Sequence, residues 1–185
     1  MQDLDKHWSA WYDQDKDFIL ISSQAVSKIL GNLDESLPKT HLDIGCGTGQ
    51  LTRELYHRGY TCIGIDASSS AVKIAKSLTV RDGLRYLQFN ADDGDFKTLP
   101  GQPYSLITCK LVYAFIKDKP AFLKKVASVL AGGGVFVIIT PLPSDVPPEK
   151  AGIAVDFDAT MAELSLVFEN VTSYASPSGT TFICR

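Results

Sequence analysis

Apolar positions recur along the chain with two alternating periods, and that alternation predicts the architecture. Over residues 5–31, Trp8, Trp11, Tyr12, Ile21, Ala25 and Ile29 sit at helical spacings and stop at Gly31, which predicts an N-terminal helical segment. A break at Leu37-Pro38-Lys39 follows. Beyond it, strand-like and helix-like runs take turns: strand His41–Ile44, helix Gln50–Arg58 closed by Gly59, strand Tyr60–Ile65, helix Ser69–Leu78. The rhythm continues with strands over Leu84–Phe89 and Tyr104–Cys109 and a helix over Lys119–Leu130 carrying Pro120 in its first turn. A strand Val135–Thr140 then follows Gly132-Gly133-Gly134. Strands separated by helices imply a parallel sheet covered on both faces.

The last quarter breaks the rhythm. A Pro-rich loop (Pro141, Pro143, Pro147, Pro148) leads to a short helix near Asp158–Leu164. The runs Leu166–Tyr174 and Thr181–Cys184 are joined by Ala175-Ser176-Pro177-Ser178-Gly179, too few residues for a crossover helix, so they predict an antiparallel hairpin. The expected organisation is one α/β domain over 1–185, with a helical cap over 1–36 and a sheet-based core over 40–185.

Composition narrows this picture. With 185 residues, 45% hydrophobic and 21% charged, the chain builds one sizeable core and leaves nothing over for a second domain. The formal net charge of −3 and the absence of any Lys/Arg run longer than a pair make nucleic acid a poor partner and favour a small molecule. The four cysteines, at 46, 62, 109 and 184, contain no Cys-x-x-Cys pair and sit mostly in apolar runs, which argues against a zinc site or a disulfide framework. The polar N-terminus lacks the pattern of a signal peptide, and no apolar run reaches the length of a membrane span. A cytoplasmic protein without a membrane partner, monomer or homodimer, is the expectation.

The candidate chemistry begins at Leu42-Asp43-Ile44-Gly45-Cys46-Gly47-Thr48-Gly49, a strand entering a Gly-x-Gly-x-Gly turn before a helix. Glycines let backbone approach a ligand closely, and the helix start offers free N–H groups, so a nucleotide-like ligand fits; a tight turn alone explains the same glycines. The second strand, Cys62-Ile63-Gly64-Ile65-Asp66, ends in a carboxylate 21 residues after Gly45. Such a carboxylate can accept from both hydroxyls of a ribose. Its other reading is a helix cap, although Ser68, Ser69 and Ser70 could cap that helix themselves.

On these residues the chain resembles the class I S-adenosylmethionine (SAM)-dependent methyltransferases, from about His41 to the C-terminus. The resemblance implies a Rossmann-like, seven-stranded, mostly parallel sheet with helices on both faces and an antiparallel C-terminal hairpin strand. It implies the cofactor S-adenosyl-L-methionine, the product S-adenosyl-L-homocysteine, no metal, and a small-molecule methyl acceptor. By the same resemblance Asp43 helps hold the cofactor ammonium, and the backbone of Gly45, Cys46, Gly47 and Gly49 surrounds its aminoacyl part. Asp66, with Ala67 beside it, meets the ribose. Asp92 accepts from the adenine amino group, with the Asp93 backbone N–H near the ring and Asp93 itself as substitute. Backbone around Cys109 and Lys110 accepts from the ammonium, and the segment Leu111–Ile116 borders the methyl group. Ser105 stands where the family usually has Asp, at the strand end remote from the cofactor.

Many small-molecule members carry a histidine near the methyl group, where this chain has Tyr113 and Phe115. Tyr113, and His7 in the cap, are the candidate general bases, although an acceptor that is a neutral amine, a thiolate or an acidic hydroxyl needs none. Trp8-Ser9-Ala10-Trp11-Tyr12-Asp13 is similar to the aromatic lid preceding the first strand in that family, which brings Tyr12 to the cofactor; a packed amphipathic helix is the plainer reading. The Pro-rich stretch at 141–148, with Gly152, is expected to form the opposite wall of the acceptor pocket. Two other functions remain open: a non-catalytic SAM-binding or regulatory protein, and an NAD(P)-dependent oxidoreductase, which the glycine spacing and the hairpin disfavour.

Overall fold

The computed structural model describes residues 2–12, 20–79 and 81–185, with side chains from residue 5 onward except those of His7 and Trp11. In chain order the elements are α1 (Gln2–Tyr12), α2 (Ser23–Leu30), β1 (Thr40–Ile44), α3 (Gln50–His57), β2 (Thr61–Asp66), α4 (Ser69–Leu78) and β3 (Leu84–Gln88). They continue with β4 (Tyr104–Lys110), α5 (Lys119–Val129), β5 (Leu130–Thr140), α6 (Phe157–Ser165), β6 (Val171–Ser176) and β7 (Gly179–Cys184). Among the described residues, the helical segment expected over 5–31 comprises two helices: Ser22, whose side chain accepts from Ala25 N, starts the second.

The strands form one seven-stranded sheet in the order β3-β2-β1-β4-β5-β7-β6. Neighbours from β3 to β5 pair in parallel, whereas β7 runs antiparallel to both β5 and β6. Alternate residues feed two apolar layers, as period-two strands buried on both sides must. Phe136 and Ile138 of β5 join Phe122 and Val126 of α5 on one face. Val135, Val137 and Ile139 face Leu51 and Leu55 of α3 and Val26 and Ile29 of α2 on the other.

Two boundaries differ from the apolar pattern. The run Leu166–Phe168 does not extend as strand: it follows α6, Phe168 turns into the core and Leu166 is left 84% exposed. Strand β5 begins before the three glycines, and residues 131–134 loop out between Leu130, opposite Tyr104, and Val135, opposite Leu106. Ser105 is a structural residue: its Oγ donates to Thr40 O at 3.0 Å and accepts from Thr40 N at 3.2 Å, joining β4 to β1. Successive strands leave β1 in opposite directions, so a cleft opens at the C-terminal ends of β1 and β4, where open α/β sheets bind ligands.

Candidate cofactor and acceptor site

The turn after β1 is held by backbone: Gly45 N and Cys46 N both donate to Ile65 O, at 2.8 and 2.9 Å, pinning it to the end of β2. Gly47 adopts φ +54°, a conformation that favours glycine, and a Cβ there would lie 2.6 Å from Tyr12 Oη, so the tyrosine would have to shift. Its N–H donates to Asp66 Oδ2 at 2.8 Å, while Ser68 N donates to Asp66 Oδ1 at 2.9 Å. Ser68 is the cap of α4, through Ala71 N. Asp66 is therefore not the helix cap; it bridges the two loops and lies in the cavity wall. Burial pushes its carboxyl up against the lowering effect of those two N–H donors.

Asp43 is more deeply placed. Its Oδ2 accepts from Thr52 Oγ1 of α3 at 2.7 Å and its Oδ1 from Thr108 Oγ1 of β4 at 2.8 Å. Burial raises its pKa to about 6, opposed by those two hydroxyls and by Lys110. Thr108 Oγ1 in turn meets His41 Nε2 at 2.8 Å, so His41 belongs to β1 and points into the sheet interior.

The cleft has about 980 Å³ of open space counted out into solvent. Asp43, Gly45, Cys46, Gly47, Asp66, Ala67, Asp92, Lys110 and Tyr12 line it. Asp92 Oδ1 accepts from Lys117 N at 3.0 Å, and its N–H donates to Asn90 Oδ1 at 3.0 Å, which fixes the loop after β3. Asp93 is exposed, outside the cavity wall, with its carboxylate accepting from Asn90 Nδ2 at 2.9 Å. Gly49, the cap of α3, packs under Tyr86 and does not reach the cleft, and the Cys109 side chain is buried in the core, leaving only its backbone for a ligand. The Cys46 thiol, raised well above its ordinary value by burial, is no nucleophile.

The cap supplies a roof. Trp8 and Tyr12 line the cleft, and Trp8 meets Phe115 edge-on at 4.9 Å between ring centroids. Helix α1 is docked on the start of α4: Asp5 Oδ1 accepts from Ser69 N at 2.7 Å, and Ser9 and Ser68 hydroxyls lie 2.9 Å apart. The His7 and Trp11 side chains fall outside the described residues. Tyr113 is corrected. The turn Tyr113–Phe115 rolls its ring into the core against Phe122, where its hydroxyl donates to Glu163 Oε2 at 2.8 Å and burial holds its pKa far above the usual range. Val112, Phe115 and Ile116, not Tyr113, face the cleft. Ile116, within the segment expected at the methyl group, walls the cleft with Phe89, which was not foreseen from the sequence; nor was the polar set His41, Thr52 and Thr108 behind Asp43. A signal for that set existed: His41 and Thr108 are polar residues in otherwise apolar strands.

A sheet in this order, with β7 reversed and a glycine loop joined to a second-strand carboxylate, defines the class I SAM-dependent methyltransferase fold. The chain belongs to the methyltransferase-domain family whose model matches residues 20–180. It is 26% identical over 130 residues to a ubiquinone biosynthesis O-methyltransferase of Nitrosomonas europaea, covering 67% of this chain and 54% of that protein. It is also 26% identical over 121 residues to ajmaline N-methyltransferase of Rauvolfia serpentina, covering 64% of this chain and 42% of the relative. The chain thus spans about half the length of these relatives. The plantazolicin methyltransferase BamL, crystallised with a triazolic desmethylPZN analog and SAH, superposes with a TM-score of 0.69 at 19% identity, over 82% of this chain and 64% of that one. Among the described residues, no helix is long and apolar enough to cross a membrane.

Proposed function

We propose that this chain is a SAM-dependent methyltransferase that transfers a methyl group to an oxygen, nitrogen or sulfur atom of a small-molecule acceptor and leaves S-adenosyl-L-homocysteine. The observation that carries the reading is the line of carboxylates Asp43, Asp66 and Asp92 along one cleft at the sheet's switch point, beneath the aromatic roof of Trp8, Tyr12 and Phe115. The fit to the cofactor is chemical: an ammonium, a pair of ribose hydroxyls and an adenine amino group are all donors, and each carboxylate is an acceptor.

Asp43, with backbone at Cys109 and Lys110, receives the ammonium; Asp66 receives the ribose; Asp92 receives the adenine amino group between Phe89 and Ile116. The Asp93 contribution is its backbone N–H. Bound in this way, the cofactor supplies a methyl group already activated on a sulfonium. What the chain does is orient and dry the site. Trp8 and Tyr12 close the open side, and Val112 and Phe115 present apolar surface that excludes water and aligns an acceptor lone pair. Among the described residues no histidine lines the cleft.

The test is calorimetric binding of SAM, S-adenosylhomocysteine and NAD, followed by turnover of isotopically labelled SAM against amines, phenols, thiols and carboxylic acids. Binding of SAM and its product with transfer to one class is expected. Binding of NAD alone would overturn the reading, and tight SAM binding without transfer to any class would reduce it to a binding protein.

A further inference from the structure

Behind the cleft runs a buried polar strip in a layer that is otherwise apolar. On this face of the sheet β5 contributes Val135, Val137 and Ile139, and β4 contributes Leu106. In the same layer His41, Asp43 and Thr108 sit on neighbouring strands, with His41 and Thr108 fully buried and Asp43 nearly so. With Asp43 ionised, and so able only to accept, the directions of the bonds follow. Asp43 accepts from Thr108 Oγ1 at 2.8 Å, so the Thr108 oxygen is left to accept, and the His41 Nε2–H must be its donor at 2.8 Å. The imidazole is therefore the Nε2–H tautomer with Nδ1 bare, and among the described residues Nδ1 has no partner.

Stability does not explain this arrangement. Replacing both members of a buried hydrogen-bonded pair by apolar groups of similar shape is nearly neutral, whereas a bare buried acceptor is a cost. The strip ends on the one carboxylate that the proposed function assigns to the cofactor ammonium.

We propose that His41 and Thr108 are positioning residues for cofactor binding: the chain from His41 Nε2 through Thr108 Oγ1 to Asp43 Oδ1 keeps the Asp43 carboxylate ionised in the cleft wall and sets the lower pH limit of binding. The inference rests on the reading that Asp43 receives the ammonium. His41 carries no charge itself, since burial brings its pKa down to about 3; it acts by fixing the Thr108 hydroxyl as a donor to Asp43. Around Asp43, Lys110 favours the ionised form and Asp66 opposes it. The thiols of Cys46, Cys62 and Cys109 and the Tyr86 hydroxyl are all raised by burial and stay neutral. Without the Thr108 hydroxyl, only that of Thr52 among Asp43's side-chain donors still offsets its burial.

The experiment is calorimetric affinity for S-adenosylhomocysteine, which keeps the ammonium, between about pH 5 and pH 8. Wild type, Thr108→Val, Thr108→Ser, the double variant His41→Leu/Thr108→Val, and Asp43→Asn are compared. Wild-type affinity should fall below about pH 6. Loss of one hydroxyl donor should move that limb up by about one pH unit, so the deficit of Thr108→Val grows roughly tenfold from pH 8 to pH 5. The double variant should show the same shift while folding normally, Thr108→Ser should restore the wild-type limb, and the His41 ring should show the Nε2–H tautomer by NMR without titrating. If Asp43→Asn abolishes the limb but both valine variants keep the wild-type one, the positioning role is overturned and the Asp43 assignment stands. If Asp43→Asn retains the limb, the assignment itself falls, and the positioning role with it.

Discussion

Asp43→Asn should make the ligand-free protein more stable at neutral pH and at the same time weaken its hold on the cofactor. The carboxyl is buried, and its pKa in the fold is raised from 3.8 to about 6. A raised carboxyl pKa means that the folded state binds the proton more tightly than the unfolded chain, so this group lowers stability as pH climbs from about 4 to 6. The limiting penalty is about 3 kcal/mol, from roughly 1.4 kcal/mol for each unit of the shift. Asparagine carries no charge to desolvate, and its amide can accept from one threonine hydroxyl and donate to the other. Urea unfolding of both proteins at about pH 5 and pH 8 measures the effect. The advantage of the variant should widen by about 1.4 kcal/mol between those two conditions, because wild type is largely protonated at the lower one. A variant less stable than wild type at pH 8, or a difference that does not change with pH, would refute the account of Asp43 as a strained, desolvated acceptor.

Asp66→Asn should weaken SAM binding by about two orders of magnitude, read by calorimetry. It loses charge-assisted bonds and faces an amide donor toward Gly47 N or Ser68 N. Trp8→Ala should leave the melting temperature within a few degrees and speed cofactor release by about tenfold in stopped-flow fluorescence, because it opens the roof against Phe115. Tyr113→Phe should keep turnover within about twofold of wild type and lower stability by about 1 kcal/mol through the lost bond to Glu163; a hundredfold loss would return Tyr113 to the reaction.

The architecture was legible because its signals are local. Ser69–Leu78 coincides with α4, and the alternation of short strands and helices matches the parallel half of the sheet. That Asp43, Asp66 and Asp92 line one cleft was legible from their places at or just beyond strand ends, since strand ends in a parallel sheet converge on one edge. Tyr113 was misread because only a three-residue turn decides which of Tyr113 and Phe115 enters the core, and both are aromatic. The strip behind Asp43 was overlooked for a different reason. His41 and Thr108 lie 67 residues apart in sequence, and only the pairing of β1 with β4 makes them neighbours.

The reversed strand has a consequence for assembly. Strand β7 leaves the ribosome after β6 yet occupies the position between β5 and β6, so the sheet cannot be completed in the order of synthesis. Until β7 slots in, β6 has no partner and β5 has a bare edge, and the reciprocal backbone bonds between Asn170 and Arg185 cannot form. The cofactor cleft, built from β1, β2 and β4, belongs to the part of the chain that can pair earlier. Insertion of β7 therefore seals the side of the sheet farther from the cleft, and chains in which it is not yet inserted expose an apolar strand edge there.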